Sequence, residues 1–151
     1  MKIRSLLAAE RSNVLREVLN GTLELFEHSD KWHQGDAFAL DANVNPVDVD
    51  SQDACSWCLY GGVQKVLKEV LTAYPKGYGG TFLGNYIDCI LNGIAHDMKS
   101  LYLESVDDEA IIVFNDDPDT SHNDVIMLLK KALEFCLDQR NRIDFTVLQG
   151  E

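Results

Sequence analysis

Two adjacent glycines, Gly61 and Gly62, lie inside the most strongly patterned stretch of the chain, Ala54 to Tyr74, and they limit what can surround it. Apolar residues at Cys58, Leu59, Val63, Val66, Leu67, Val70 and Leu71 recur at three- and four-residue intervals, which places them on one broad stripe of an α-helix. Such a stripe needs a core to face. Each glycine in a helix interior costs about 1 kcal/mol relative to alanine. Another helix or the chain's own loop is therefore expected to press against bare backbone at this point.

The remaining elements arrange themselves around this central helix. Val14, Leu15, Val18, Leu19, Leu23 and Phe26 share one face of a first helix from Asn13 to Glu27, with Ser12 or Asn13 as its cap. From His28 to Asp53 the periodicity vanishes into a long connection rich in Asn, Asp, Pro and Gly. Loops of that length are functional or disordered, and the bulky Trp32, Phe38 and Leu40 argue that this one is pinned to the body. Pro75 ends the central helix and PKGYGG makes a turn. This is no phosphate loop, because Phe82 and Leu83 follow where a Lys and a Ser or Thr would be needed.

A third helix is predicted from Leu83 to Leu103, with Ile87, Ile90, Leu91, Ile94, Met98 and Leu101 on its buried stripe. Ala110 to Phe114, AIIVF, is short and apolar and reads as a buried extended segment or strand. Ser121 and Asp124 form a capping-box start for a fourth helix ending near Gln139. The tail alternates Ile143, Phe145 and Val147 with polar neighbours, as a strand does, and AIIVF is its expected partner. The expected fold is mainly α, a single domain over residues 1–151, with four principal helices around the central one and at most a small two-stranded β ribbon.

Charge narrows the range of partners. The net charge of −12 argues against direct nucleic-acid binding, which needs a Lys/Arg face. Between Lys31 and Lys65 stand Asp36, Asp41, Asp48, Asp50 and Asp53 with no basic residue among them. A second acidic block runs from Glu104 to Asp124. Such blocks attract a basic protein partner or a cation, or they serve as solvated loops that keep the chain soluble. No apolar run reaches the roughly 18 residues that span a bilayer, so no membrane is expected. Glu10 and Arg11 interrupt the N-terminal apolar stretch before a secretory signal would be complete. Cys55, Cys58, Cys89 and Cys136 fall at helical positions, which suits a reducing cytoplasm.

The chemical motifs are weak. Cys55 and Cys58 form a C-x-x-C at a helix start, where the helix dipole lowers a thiol pKa. A redox enzyme would add a βαβ context and a zinc site a second close Cys/His pair, so packed core cysteines are the expectation. Asn115, Asp117 and Asp119 alternate like a calcium loop, but Thr120 and Ile126 occupy the positions that need Gly and Glu. A looser magnesium or calcium site from Asp116, Asp117 and Asp119 competes with a plain turn into a helix cap, and the turn is preferred. No metal and no cofactor are assigned. His28, His33, His96 and His122 lie far apart in sequence and define no catalytic set.

Three ordered landmarks carry a resemblance: WHQG at Trp32 to Gly35, ACSWCLYGG at Ala54 to Gly62, and the FND…T…DV pattern at Phe114, Asn115, Asp116, Thr120, Asp124 and Val125. Together they resemble a family of small phage and bacterial proteins known only as a domain of unknown function, with the likeness running from about Val14 to Leu137. The family has one cysteine before its small-residue patch, which the resemblance matches to Cys58, with Cys55 an addition. It also has a shorter segment between the second and third landmarks, where this chain carries Pro75 to Tyr86. The resemblance implies a phage-linked, cytoplasmic setting and brings no catalytic residues.

Two functional classes follow. The favoured one is a non-enzymatic acidic binding protein, directed at a host protein whose basic surface normally holds nucleic acid. The other is a small-molecule or metal-dependent enzyme with a pocket at Trp32, Asn115 and Asp116. In either class the binding residues expected are Trp32, His33, Asn115, Asp116, Asp117 and Asp119. The Trp32 loop and the Asn115–Asp116 turn are expected to meet, with Asp116 orienting the loop through the indole N–H or His33 and Asn115 holding backbone groups.

Overall fold

The computed structural model describes residues 3–74, 80–99 and 109–138, with side chains given from residue 13 in the first helix and from residue 83 in the third. Five helices and one short ribbon make up this part: α1 (Ile3–Leu25), β1 (Ala39–Leu40), β2 (Ser56–Trp57), α2 (Leu59–Leu71), α3 (Gly80–Met98), α4 (Ala110–Asp116) and α5 (His122–Leu137). The architecture is mainly α, as the periodicity implied. Among the described residues no helix is long and apolar enough to cross a membrane.

The helices form where their apolar faces find one another. α1 lies against α2 and α5, while α3 packs on α4, α5 and α2. Val14, Leu15, Val18, Leu19 and Phe26 from the first helix and its end join Val63, Val66 and Leu67 from α2, Leu83, Ile87 and Leu91 from α3, and Val125, Leu128 and Leu129 from α5 in one core. α1 starts ten residues earlier than the periodicity suggested. Residues 3–12 hold neither Gly nor Pro and are rich in Leu, Ala, Glu and Arg, so nothing stops helix propagation toward the N-terminus. α5 begins at the expected capping box, in which Ser121 Oγ accepts the Asp124 N–H and Asp124 accepts the Ser121 N–H.

The two glycines of α2 do face close neighbours. A Cβ on Gly61 would strike the Phe38 carbonyl, 2.8 Å from its carbon and nearer still to its oxygen. One on Gly62 would enter the fully buried Phe26 ring, 2.7 Å from Cε2. The loop presses on one glycine and the end of the first helix on the next, and that close approach offsets the propensity cost of both.

Two expectations need correction. Ala110 to Phe114 is not extended but the body of α4, which makes five helices instead of four. Its β-branched run favours a strand locally, yet tertiary contacts decide otherwise. Ala110, Ile111, Phe114 and Asn115 fall on one buried helical face, and Asn92 Oδ1 on α3 accepts the otherwise orphaned Ile111 N–H at 2.9 Å. The ribbon, in turn, ties the long connection to the residues just before α2: β1 and β2 pair antiparallel with Ala39 opposite Trp57 and Leu40 opposite Ser56. The expected tail strand lies outside the described residues.

The long connection is pinned, though mainly by its backbone and indole groups. His33 N–H donates to Trp57 O at 3.1 Å, Cys58 N–H to Phe38 O at 3.2 Å, and Trp57 Nε1 to Val49 O at 2.9 Å. The Phe38 side chain, expected to help as an anchor, stays 48% exposed.

Candidate functional site

Asn115, near the end of α4, gathers three distant parts of the chain through one side chain. Its Oδ1 accepts both the Trp32 indole N–H at 2.7 Å and the Leu59 backbone N–H at 2.9 Å, while its Nδ2 donates to His33 O at 3.3 Å and to Asp116 Oδ1 at 2.9 Å. The Leu59 N–H is one of the unsatisfied donors at the start of α2, so Asn115 acts there as a cap supplied from another helix. The same Asp116 oxygen accepts the Gly35 N–H at 2.9 Å, and Gln34 Nε2 donates to Asp117 O at 2.7 Å. Asn115 is almost fully buried, and an amide with both donor and acceptor capacity suits a site that must satisfy both kinds of backbone group.

Trp32, His33, Asn115 and Asp116 are therefore brought together. Their roles differ from expectation: Asn115 takes the indole, and Asp116 holds the loop backbone at Gly35. His33 is fixed on both ring nitrogens, with Nε2 2.7 Å from Ala37 O and Nδ1 2.8 Å from Ser56 Oγ. A carbonyl only accepts, so Nε2 carries a proton, and the Ser56 hydroxyl, able to donate or accept, pairs with Nδ1. Asp117 shapes the turn, its Oδ1 accepting the Asp119 N–H at 2.8 Å. Asp119 itself is exposed and joins the turn through that N–H. Among the described residues no group of three or more His, Cys, Asp or Glu side chains is arranged to hold a metal.

Beside this junction lies a cleft of ≈ 200 Å³ lined by Gly35, Asp36, Phe38, Cys58, Tyr60, Ile112, Asn115 and Asp116. Its rim is apolar and open: Phe38 is 48% and Ile112 39% exposed, and the Phe38 and Tyr60 rings meet at 5.2 Å and 54°. Its wall is electronegative. Burial, then the charges of Asp88 and Glu109, push the Tyr60 phenol up. Burial likewise raises the Cys58 thiol against the opposing Gly61 N–H bond, with the Asp116 charge adding to the rise.

Cys58 caps α2, with its Sγ accepting the Gly61 N–H at 3.3 Å. Cys55 is exposed and outside any helix, and all four cysteines are free. Burial prevails over the backbone N–H groups at Cys58 and raises its thiol, which disfavours the thiolate that nucleophilic chemistry requires there.

Three residues near the cleft escaped sequence reading. Tyr60 lines it, and Asp88 on α3 and Glu109 before α4 each hold one oxygen shielded from solvent with no hydrogen-bond partner. Burial and the neighbouring Glu109 charge push the Asp88 carboxyl up to about 6. Asp88 sits among the apolar residues of α3, and an acid at a half-buried helical position was the available signal.

No curated protein and no solved structure matches this chain. A family described as of unknown function, DUF6197, matches residues 11–135, a span that contains the Asn115 junction, the cleft around it and every helix except the first turns of α1 and the end of α5. On that match the chain belongs to this family.

Proposed function

We propose that the protein is a non-enzymatic binding module that engages a protein partner through an acidic face built on the long connection and the α4 turn. The observation that carries this reading is the use made of Asn115 and Asp116: the polar groups an enzyme would need are spent on tying the loop to the body. The adjoining cleft of ≈ 200 Å³ also falls below the roughly 300–1,000 Å³ of small-molecule sites. What the junction provides is a rigid platform for charge. Asp36, Asp48 and Asp53 are exposed on that connection, whereas Asp41 holds the 41–45 turn and Asp50 faces Lys68 at 3.6 Å. In the phage-linked cytoplasmic setting that the resemblance implies, the partner is a host protein with a basic surface.

The test is affinity capture with the wild type and with an Asp36→Asn, Asp48→Asn, Asp53→Asn triple variant, followed by association kinetics on what is captured. The association rate is expected to fall as ionic strength rises from about 0.01 M to about 0.1 M, over which the Debye length shrinks from about 30 Å to about 10 Å. The triple variant is expected to associate more slowly at low salt. A partner whose association ignores both salt and the substitutions would leave the acids merely solubilising.

A further inference from the structure

Building on that binding reading, we infer that the cleft between the Trp32–Gly35 loop and α4 is a receptor for one arginine side chain of the partner. The cleft is sized for a single long side chain, at ≈ 200 Å³, and too narrow for a helix about 10 Å across. Its two open walls are apolar, Phe38 and Ile112, and match the aliphatic stem of such a residue. Its polar lining is acidic. Asp36 is exposed, and Asp116 commits Oδ1 to Gly35 and Asn115 while Oδ2 has no partner among the described residues.

The negative potential is deeper than those two acids alone would make it. Asp88 and Glu109 do not line the cleft but lie near enough for their charges to raise the Tyr60 phenol that does, and one shielded oxygen of each has no donor of its own. A cation brought to the mouth of the cleft lowers the energy of all four carboxylates, whereas an anion or a neutral polar group gains nothing. No Lys or Arg lies between Lys31 and Lys65 to compete from within the loop. Among cations, guanidinium fits best. It is planar, weakly hydrated, stacks on an aromatic face such as the exposed Phe38 ring, and presents several N–H groups to carboxylate oxygens at once. An ammonium is a more strongly hydrated point charge and uses the ring less well.

The test is an NMR titration of the full chain with a capped Gly-Arg-Gly peptide, its lysine counterpart and its citrulline counterpart, which keeps the shape and removes the charge. The arginine peptide is expected to shift the Gly35, Asp36, Phe38 and Ile112 amides saturably. It should bind at least tenfold tighter than the citrulline peptide and several-fold tighter than the lysine peptide. Phe38→Ser and Ile112→Ser, both at exposed positions, should each weaken binding several-fold while leaving the melting temperature nearly unchanged. Equal binding of arginine and citrulline, or shifts scattered over the acidic surface, would overturn the inference. The two readings fail separately. A captured partner that binds both rim variants as tightly as the wild type rules out the cleft and leaves the acidic module standing, whereas association that ignores both salt and the triple substitution rules out the module.

Discussion

The α1–α5 side of the molecule and the side where the long loop meets α4 are held by different forces. On the first, Val14, Leu15, Val18 and Leu19 share a core with Val125, Leu128, Leu129 and Ala132, all fully or almost fully buried. Each contributes area, so the loss of one methyl is graded and local. On the second, four hydrogen bonds converge on one amide that joins positions as distant as Trp32, Leu59 and Asn115. Its removal strands several donors together. An apolar interface tolerates exchange of similar residues, while a polar junction depends on one residue type.

The largest effect should come from Asn115→Ala. The Trp32 indole and the Leu59 amide would both lose their acceptor, and at about 1–3 kcal/mol for each stranded donor the total is roughly 4 kcal/mol. Urea denaturation measures it, and tryptophan fluorescence, from Trp32 and Trp57 on the loop side, should show the loop loosening before α1 and α5 separate. A loss under about 1 kcal/mol would mean that water replaces the amide and that the two sides are held alike.

Next come the glycines of α2, where the polar and apolar sides touch the same helix. Gly61→Ala drives a methyl into the Phe38 carbonyl, a backbone group fixed by the Cys58 N–H, and should cost about 3 kcal/mol. Gly62→Ala meets the Phe26 ring and the Leu25 side chain, which yield more readily, and should cost about 2 kcal/mol. Thermal melts in the reverse order would show the loop to be the softer neighbour.

The smallest effect is electrostatic. The Asp88 carboxyl is raised from 3.8 to about 6, so between those values the native chain keeps a proton that the unfolded chain has lost. Stability attributable to this group is therefore greatest at the acid end of that window and declines as pH rises through it. Asp88→Asn should remove that slope and stabilise the protein above it by about 1 kcal/mol, allowing for solvent screening of a half-buried group. Urea midpoints at both ends of the window check this, and an unchanged slope in the variant would assign it to another acid.

Much of the apolar side was legible in the sequence, because Val63, Val66 and Leu67 repeat with the helix period and Ser121 with Asp124 spells a cap. The glycine pair announced close packing, although nothing local said that Phe38 and Phe26 would supply it. The polar side was legible in part. Trp32 carries an N–H that burial obliges it to satisfy, and the Asn115–Asp116 turn offered acceptors, so their meeting could be anticipated. Which of the two would take the indole could not, since Asn and Asp both accept, and the need for an added donor to His33 O exists only in three dimensions. α4 was misread because seven residues with a β-branched centre favour a strand until Asn92 and the core are present. The strands, two residues each, were too short to leave a period.

Hydrogen exchange in the intact wild type tests most directly whether one side chain holds the loop, α2 and α4 together. The Trp32 indole proton and the Leu59 amide proton share the Asn115 oxygen, so both should exchange through one opening with the same free energy and the same dependence on urea. A Trp32 indole that exchanges at the rate of a free indole while the Leu59 amide stays protected would contradict it.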